Sequence, residues 1–196
     1  MPNQLKVAFA AAVLLVLFMS AKGTGALWHD EKSIDAGTIT TGNLSLLLGN
    51  GSETKQNYEF VDLNGSNLVP GDFVQAPLTV SNGGTTNLSY NLVGATTAPA
   101  TPTSADTALS AGTVLSVYAG MDRADCAARR TLTGSRLYVG PASSGITLGQ
   151  PRPLATGGSA VSTEVLCLRV EVNPTTPQTA AGGRLHLTLD FTGQQR

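Results

Sequence analysis

Residues 184–191 read Arg-Leu-His-Leu-Thr-Leu-Asp-Phe, and this stretch decides the fold class. Leucine or phenylalanine occupies every second position, and the residues between them are polar or charged. Because successive side chains of a β-strand point to opposite faces, this alternation predicts a strand with one buried and one solvent-facing side. His186 falls on the solvent-facing side, so we interpret it as a surface residue.

The same alternation recurs along the chain. It is clear in residues 73–81, 88–93 and 166–172, and weaker in Leu44–Leu48, Tyr58–Leu63, Thr113–Ala119, Arg136–Val139 and Ile146–Leu148. Helical periodicity does not recur past residue 37, and only residues 121–130 are expected to hold a helical turn. Residues 95–106 and 149–159 are predicted to be loops. Eight or nine short strands in about 170 residues predict an all-β fold, an antiparallel β-sandwich.

The N-terminus predicts export. Val7–Met19 is an uninterrupted run of thirteen apolar or small residues. As a helix it would span about 20 Å, which is short of the ~30 Å hydrocarbon core of a membrane. We therefore predict a signal peptide over residues 1–26, cleaved between Ala26 and Leu27. The alternative, a buried core helix, is disfavoured because no amphipathic pattern continues the run.

The prediction divides the chain into three parts: the signal peptide 1–26, an extended N-terminal arm 27–37 and a single β-sandwich domain 38–196. Cleavage would remove Lys6 and Lys22 but no acidic residue, which changes 12 basic and 13 acidic residues into 10 and 13, a net charge of −3. A mildly acidic chain with 13% charged residues is not typical of a nucleic-acid binder.

Few residues are available for catalysis or metal binding. The chain has two histidines and two cysteines, and it contains no His-Glu-x-x-His, Gly-x-Ser-x-Gly or Cys-x-x-Cys motif. We predict that it is not an enzyme, with no catalytic, cofactor-binding or metal-binding residues. An exported pair of cysteines predicts one disulfide, Cys126–Cys167, with two free thiols as the alternative.

Two blocks of sequence resemble a known family. The first is Ala26-Leu27-Trp28-His29-Asp30, followed by Thr38-Ile39-Thr40-Thr41-Gly42-Asn43-Leu44-Ser45-Leu46. The second is Leu68-Val69-Pro70-Gly71-Asp72, then an alternating strand, Asn82-Gly83-Gly84-Thr85 and another strand. Their succession behind a short signal resembles the TasA/camelysin family, whose members are exported through a signal peptidase of the SipW type. The C-terminal half is similar to actinobacterial relatives.

The resemblance implies a jelly-roll sandwich and a secreted structural protein of the extracellular matrix or cell surface. It implies a homopolymer that forms fibres, in which the freed N-terminal segment of one subunit adds as a strand to the next. The strand-donor residues would be Leu27, Trp28, His29, Asp30 and Ile34. The other expected partner is the SipW-type signal peptidase, and contact with a membrane is expected only for the uncleaved precursor.

Two other functions remain open. One is a monomeric secreted binding or adhesion module, whose contact surface would be the loops 95–106 and 149–159, because binding residues often lie on loops of a rigid scaffold. The other is a camelysin-like metallopeptidase.

Overall fold

The structure is a computed structural model, and it describes residues 42–97, 99, 101–142 and 146–196, with the backbone alone for 95–97. The chain divides into two compact units, Met1–Thr40 and Thr41–Arg196, and all described residues belong to the second. The predicted signal peptide and N-terminal arm therefore lie outside the described residues.

The described residues of this unit form nine strands and two short α-helices. In chain order they are β1 (Leu46–Gly49), β2 (Thr54–Lys55), β3 (Phe73–Asn82), β4 (Leu88–Thr97), α1 (Ser104–Ala111), β5 (Thr113–Ala119), α2 (Arg123–Ala127), β6 (Ser135–Pro141), β7 (Arg152–Leu154), β8 (Thr163–Val172) and β9 (Leu187–Gln195). Single 3-10 turns lie at Val61–Leu63 and Gln178–Ala180.

The strands form two antiparallel sheets that pack as a sandwich. The large sheet has the order β2-β1-β3-β8-β5-β6, and the small sheet has the order β7-β4-β9. This confirms the predicted fold class, an all-β antiparallel sandwich of eight or nine strands. The core lies between the sheets, where the inward rows of β4, β5 and β8 are almost completely buried: Leu88, Tyr90, Leu92, Leu115, Val117, Leu166 and Leu168.

Strand β3 departs from the predicted pattern of one buried and one wet face. Every residue from Val74 to Asn82 is buried, including Gln75 at 3% and Thr79 at 6% exposure. For Gln75 and Thr79 the cause is α2, which packs on the outer face of β3 and β8 and bonds to both side chains. Asn82 instead donates to the carbonyls of Thr86 and Ala155. Alternation cannot reveal such a cover, because the outward residues stay polar and hydrogen-bond to the covering element.

Some segments were predicted wrongly. Tyr58–Leu63 is not a strand: it contains the 3-10 turn, and Tyr58, Phe60 and Leu63 pack on the core without joining either sheet, while Val61 is exposed. Ile146–Leu148 is buried at both ends but is not a strand either. The predicted loop 149–159 contains β7, a strand of three residues that is too short to show a period.

The predicted loop 95–106 is replaced at both ends by regular structure. β4 continues to Thr97, and α1 begins at Ser104. Thr103 caps α1: its hydroxyl accepts from the Asp106 N–H at 3.2 Å, and the Asp106 carboxylate accepts from the Thr103 N–H at 2.8 Å. This reciprocal capping box was visible in the sequence as Thr-x-x-Asp. The predicted helical turn at 121–130 is confirmed as α2.

Candidate functional site

Strand β9 forms a free edge of the small sheet. Among the described residues it pairs only with β4, from Leu88↔Gln195 to Thr97↔Leu187. In that part of the chain, the alternate N–H and C=O groups on its other side therefore have no strand to pair with. With nine residues, β9 offers a ladder long enough to receive another strand.

The side chains of β9 alternate as the sequence predicts. The apolar row is half-buried, and the residues between are exposed, His186 before the strand included. The burial of the apolar row is incomplete, whereas the corresponding row of β4 is fully buried. The inward side of β9 therefore keeps apolar surface that another segment could cover.

An apolar groove of about 570 Å³ lies beside β9. Its floor comes from the large sheet, and one wall comes from β9 and the residues just before it. The other wall comes from the segment between β2 and β3. The apolar lining residues are Leu48, Val74, Leu78 and Val170 of the floor, Leu185, Leu187, Leu189 and Phe191 of the first wall, and Tyr58, Phe60, Leu63 and Leu68 of the second. The groove thus lies over residues of β1, β3 and β8, between the β9 edge of the small sheet and the segment that precedes β3.

The groove carries little charge. Glu59 and His186 are exposed at its rim. Burial raises the pKa of Tyr58 above its ordinary value, and the nearby Asp62 and Glu53 raise it further, so its hydroxyl is neutral at physiological pH. An extended peptide with apolar side chains suits such a surface better than a strongly charged ligand does.

The other strand edges of the described residues carry features that discourage strand addition. β2 has two residues, and its Lys55 pairs with Glu53 at 3.0 Å. β7 has three residues, centred on Pro153, which has no N–H to donate. β6 has the exposed Arg136 and an irregular register against β5. Short length, proline, charge and bulges all protect sheet edges. β9 also has one charged residue, Asp190, and a register shift against β4 between Leu92 and Gly94, but it is the longest of these edge strands and contains no proline.

A polar network ties the two sheets together behind the groove. The Tyr90 hydroxyl of β4 donates to Glu164 Oε2 of β8 at 2.5 Å, and Arg152 of β7 donates to both Glu164 oxygens, with Nε to Oε2 at 2.8 Å. Burial raises the pKa of Tyr90 far above its ordinary value of 10.0, and the hydrogen bond and charge of Glu164 raise it further. The Tyr90 ring also packs on Phe191, with centroids 6.3 Å apart. The network therefore helps to hold β9 in place.

The predicted disulfide is confirmed. Cys126 of α2 and Cys167 of β8 are bonded, and their residues are 0% and 1% exposed. Gln75 of β3 supports the same junction, because its side-chain amide donates to the Cys126 carbonyl at 3.0 Å and accepts from Arg169 Nε at 2.7 Å. The disulfide thus fastens α2 to the outer face of the large sheet, on the side away from the groove.

The predicted strand-donor residues Leu27, Trp28, His29, Asp30 and Ile34 lie outside the described residues, as does the predicted cleavage site at Ala26 and Leu27. The structure therefore describes a possible acceptor and not the donor. The sequence predicts β9 as a strand with an inward apolar row, but it predicts neither the groove nor its opposite wall. The spacing Tyr58-x-Phe60 does indicate that alternate side chains are buried, but the same spacing is typical of a strand, so it does not identify a wall of irregular structure.

Two further findings concern the described residues. They contain no group of three or more His, Cys, Asp or Glu side chains placed to hold a metal ion. Within the same residues, no helix is long and apolar enough to cross a membrane. Comparison of the whole chain with protein-family models gave no match, and comparison with curated proteins gave none either.

Proposed function

We propose that this protein is a secreted structural protein of the extracellular matrix or cell surface, which assembles into fibres by strand addition. Cleavage after Ala26 would free the arm 27–37, and the arm of one subunit would pair with the β9 edge of the next. The observation that carries the proposal is the groove, lined mainly by apolar residues, beside the free edge of the nine-residue strand β9. The resemblance to the TasA/camelysin family and its SipW-type export supports the same function.

The chemistry of the groove fits an added strand. The β9 edge offers backbone hydrogen bonds without regard to sequence, and the apolar residues of β9 and of the floor select the side chains that alternate inward. Leu27 and Trp28 would supply the anchors, since burying one large apolar side chain contributes roughly 1.5–3 kcal/mol. Each of these contributions lowers the concentration needed for assembly, by about tenfold for every 1.4 kcal/mol.

The donor side is tested by comparing residues 27–196 with residues 38–196. We expect light scattering to show large, concentration-dependent species for the longer chain and their loss in the shorter one. Leu27→Ala and Trp28→Ala should each raise the concentration required by about tenfold or more. Monomers for both chains at all salt concentrations and pH values tried would contradict the proposal.

The acceptor side is tested on β9 itself. Leu189→Lys places a charge on the half-buried wall of the groove, where an inward-pointing charge discourages strand pairing. The matched control is Thr131→Lys, which adds the same charge to an exposed position just after α2, on the outer face of the large sheet. We expect Leu189→Lys to abolish large species and Thr131→Lys to retain them. Equal assembly by both variants would show that the groove is not the acceptor.

A monomeric binding module is the second candidate, and the volume of the groove favours it, because small-molecule sites typically occupy about 300–1,000 Å³. A protein of this kind would stay monomeric as residues 27–196 and retain a partner from cell-surface material, and Leu189→Lys would weaken that retention. No observation on the described residues favours the camelysin-like metallopeptidase.

A further inference from the structure

The wall of the groove opposite β9 is an irregular segment, residues 56–68, which we name the strap. It connects β2 to β3 and contains the 3-10 turn Val61–Leu63. Its backbone hydrogen bonds are local: Val61 N–H to Glu59 O, Leu63 N–H to Phe60 O and Asn64 N–H to Val61 O. Among the described residues, no backbone hydrogen bond joins the strap to either sheet. Segments without ladder hydrogen bonds are those that open most easily.

Apolar contacts, rather than backbone hydrogen bonds, hold the strap against the core. Tyr58, Phe60, Leu63 and Leu68 are half-buried against the core, and the Tyr58 and Phe60 rings lie 6.0 Å apart. At Gly65 the backbone of the strap comes close to the core: a Cβ atom there would lie 2.6 Å from Val74 Cγ1 and 3.0 Å from Leu68 Cδ1. The backbone at Gly65 therefore rests directly on Val74, which is part of the groove floor.

The strap and an added strand require the same surface. A strand paired with β9 must pack its inward side chains on the floor next to β9, and the strap lies over Val74 on that floor. The added strand would gain the ladder hydrogen bonds with β9 that the strap does not make. We infer that the strap is an autoinhibitory cover: it occupies part of the acceptor surface in the free subunit and moves aside when a strand adds, so its opening limits the rate of assembly. This inference rests on the proposed function.

A reversible lock tests the inference. Because Val74 Cγ1 is one bond from Cβ, the Cβ atoms of residues 65 and 74 would lie within about 4 Å, which suits a disulfide. In residues 27–196, Gly65→Cys with Val74→Cys would fasten the strap when oxidised and free it under mild reduction. The native disulfide is buried, so it should survive that treatment, and counting alkylated thiols by mass spectrometry checks this. The single variants Gly65→Cys and Val74→Cys are the matched controls.

We expect the oxidised double variant to assemble at least tenfold more slowly than its reduced form, and the reduced form to match the single variants. Equal rates in both states, with normal assembly of the parent, would overturn the strap inference and leave the proposed function standing. If the parent does not assemble, or if it assembles and Leu189→Lys has no effect, the proposed function fails and the inference falls with it.

Gly65→Ala provides a second test that does not require the cysteine pair to fold. Its added methyl group would collide with Val74 and push the strap off the floor. We expect assembly to become at least threefold faster. Gly149→Ala is the control, since a Cβ at Gly149 meets nothing within 4 Å. An unchanged or slower rate for Gly65→Ala, relative to Gly149→Ala, would overturn the inference.

Discussion

At the scale of single residues, Tyr90 is a buried side chain whose hydroxyl group links the two sheets. Its ring is buried in the core, and its hydroxyl crosses from the small sheet to Glu164 of the large sheet. A phenolate in that position would be desolvated and would face a carboxylate, so the neutral form is strongly preferred in the folded state. The alternating pattern of β4 predicted that Tyr90 is buried, but its partners come from β7 and β8, which are distant in sequence.

The raised pKa of Tyr90 predicts that alkali destabilises the fold. The unfolded phenol releases its proton near pH 10 and the folded one does not, so this stabilisation is complete below pH 10 and is lost as the pH rises above it. Above pH 10, we expect this group alone to lower the free energy of unfolding by about 1.4 kcal/mol per pH unit. Tyr90→Phe should remove that part of the slope in urea unfolding between pH 8 and 11. The same slope in parent and variant would contradict the assignment.

At the scale of elements, Asp106 connects α1 to the start of β9. Its carboxylate accepts from the Arg184 N–H at 2.6 Å and from the Thr103 N–H. The bond from Arg184, followed by those from Thr103, lowers the pKa of Asp106 below its ordinary value. The helix therefore positions the residues that lead into β9, a role that no motif in the sequence indicated.

Acid should loosen this junction. Because the folded pKa of Asp106 is lowered, its contribution to stability is present at neutral pH and is lost as the pH falls through that pKa. Asp106→Asn should reduce the dependence of stability on pH below 4 and, at neutral pH, speed amide hydrogen exchange at Arg184–Leu187. Unchanged exchange at these residues would show that β9 is positioned by other contacts.

Removal of the disulfide should have a large effect on the free energy of unfolding and a small effect on assembly. It closes a loop of 41 residues, which corresponds to about 4 kcal/mol on the loop-entropy model. We expect Cys126→Ala with Cys167→Ala to lose about that much in urea unfolding. Assembly should survive under conditions where the variant is folded, because α2 lies on the outer face and the groove on the inner one. A loss of less than about 1 kcal/mol would contradict the structural role.

Sequence reasoning recovered the long strands and missed what depends on tertiary packing. β3, β4, β5, β8 and β9 each have enough residues for a period of two to emerge, whereas β2 and β7 do not. The strap has a strand-like sequence pattern because alternate side chains such as Tyr58 and Phe60 are buried, although its backbone makes no hydrogen bonds to a neighbouring strand. The groove itself could not be predicted, since its lining comes from β9, the strap and three strands of the large sheet, which are far apart in sequence.

At the scale of the whole molecule, the unequal sheets are the central feature. Six strands face three, the groove lies over β1, β3 and β8 of the larger sheet, and the nine-residue edge strand β9 borders it. If cleavage frees the arm 27–37 as proposed, one subunit carries both a donor and an acceptor, which is the requirement for head-to-tail assembly without closure. The central claim is therefore that β9 gains a strand when subunits assemble.

Amide hydrogen exchange at β9, resolved by residue and compared between residues 38–196 as monomer and residues 27–196 after assembly, tests this claim most directly. In an edge strand, alternate N–H groups point away from the sheet. We predict that alternate amides between Leu187 and Gln195 exchange quickly in the monomer and become protected after assembly, while β6 stays unchanged. Assembly that protects β6 and leaves the amides of β9 as they were would contradict the account.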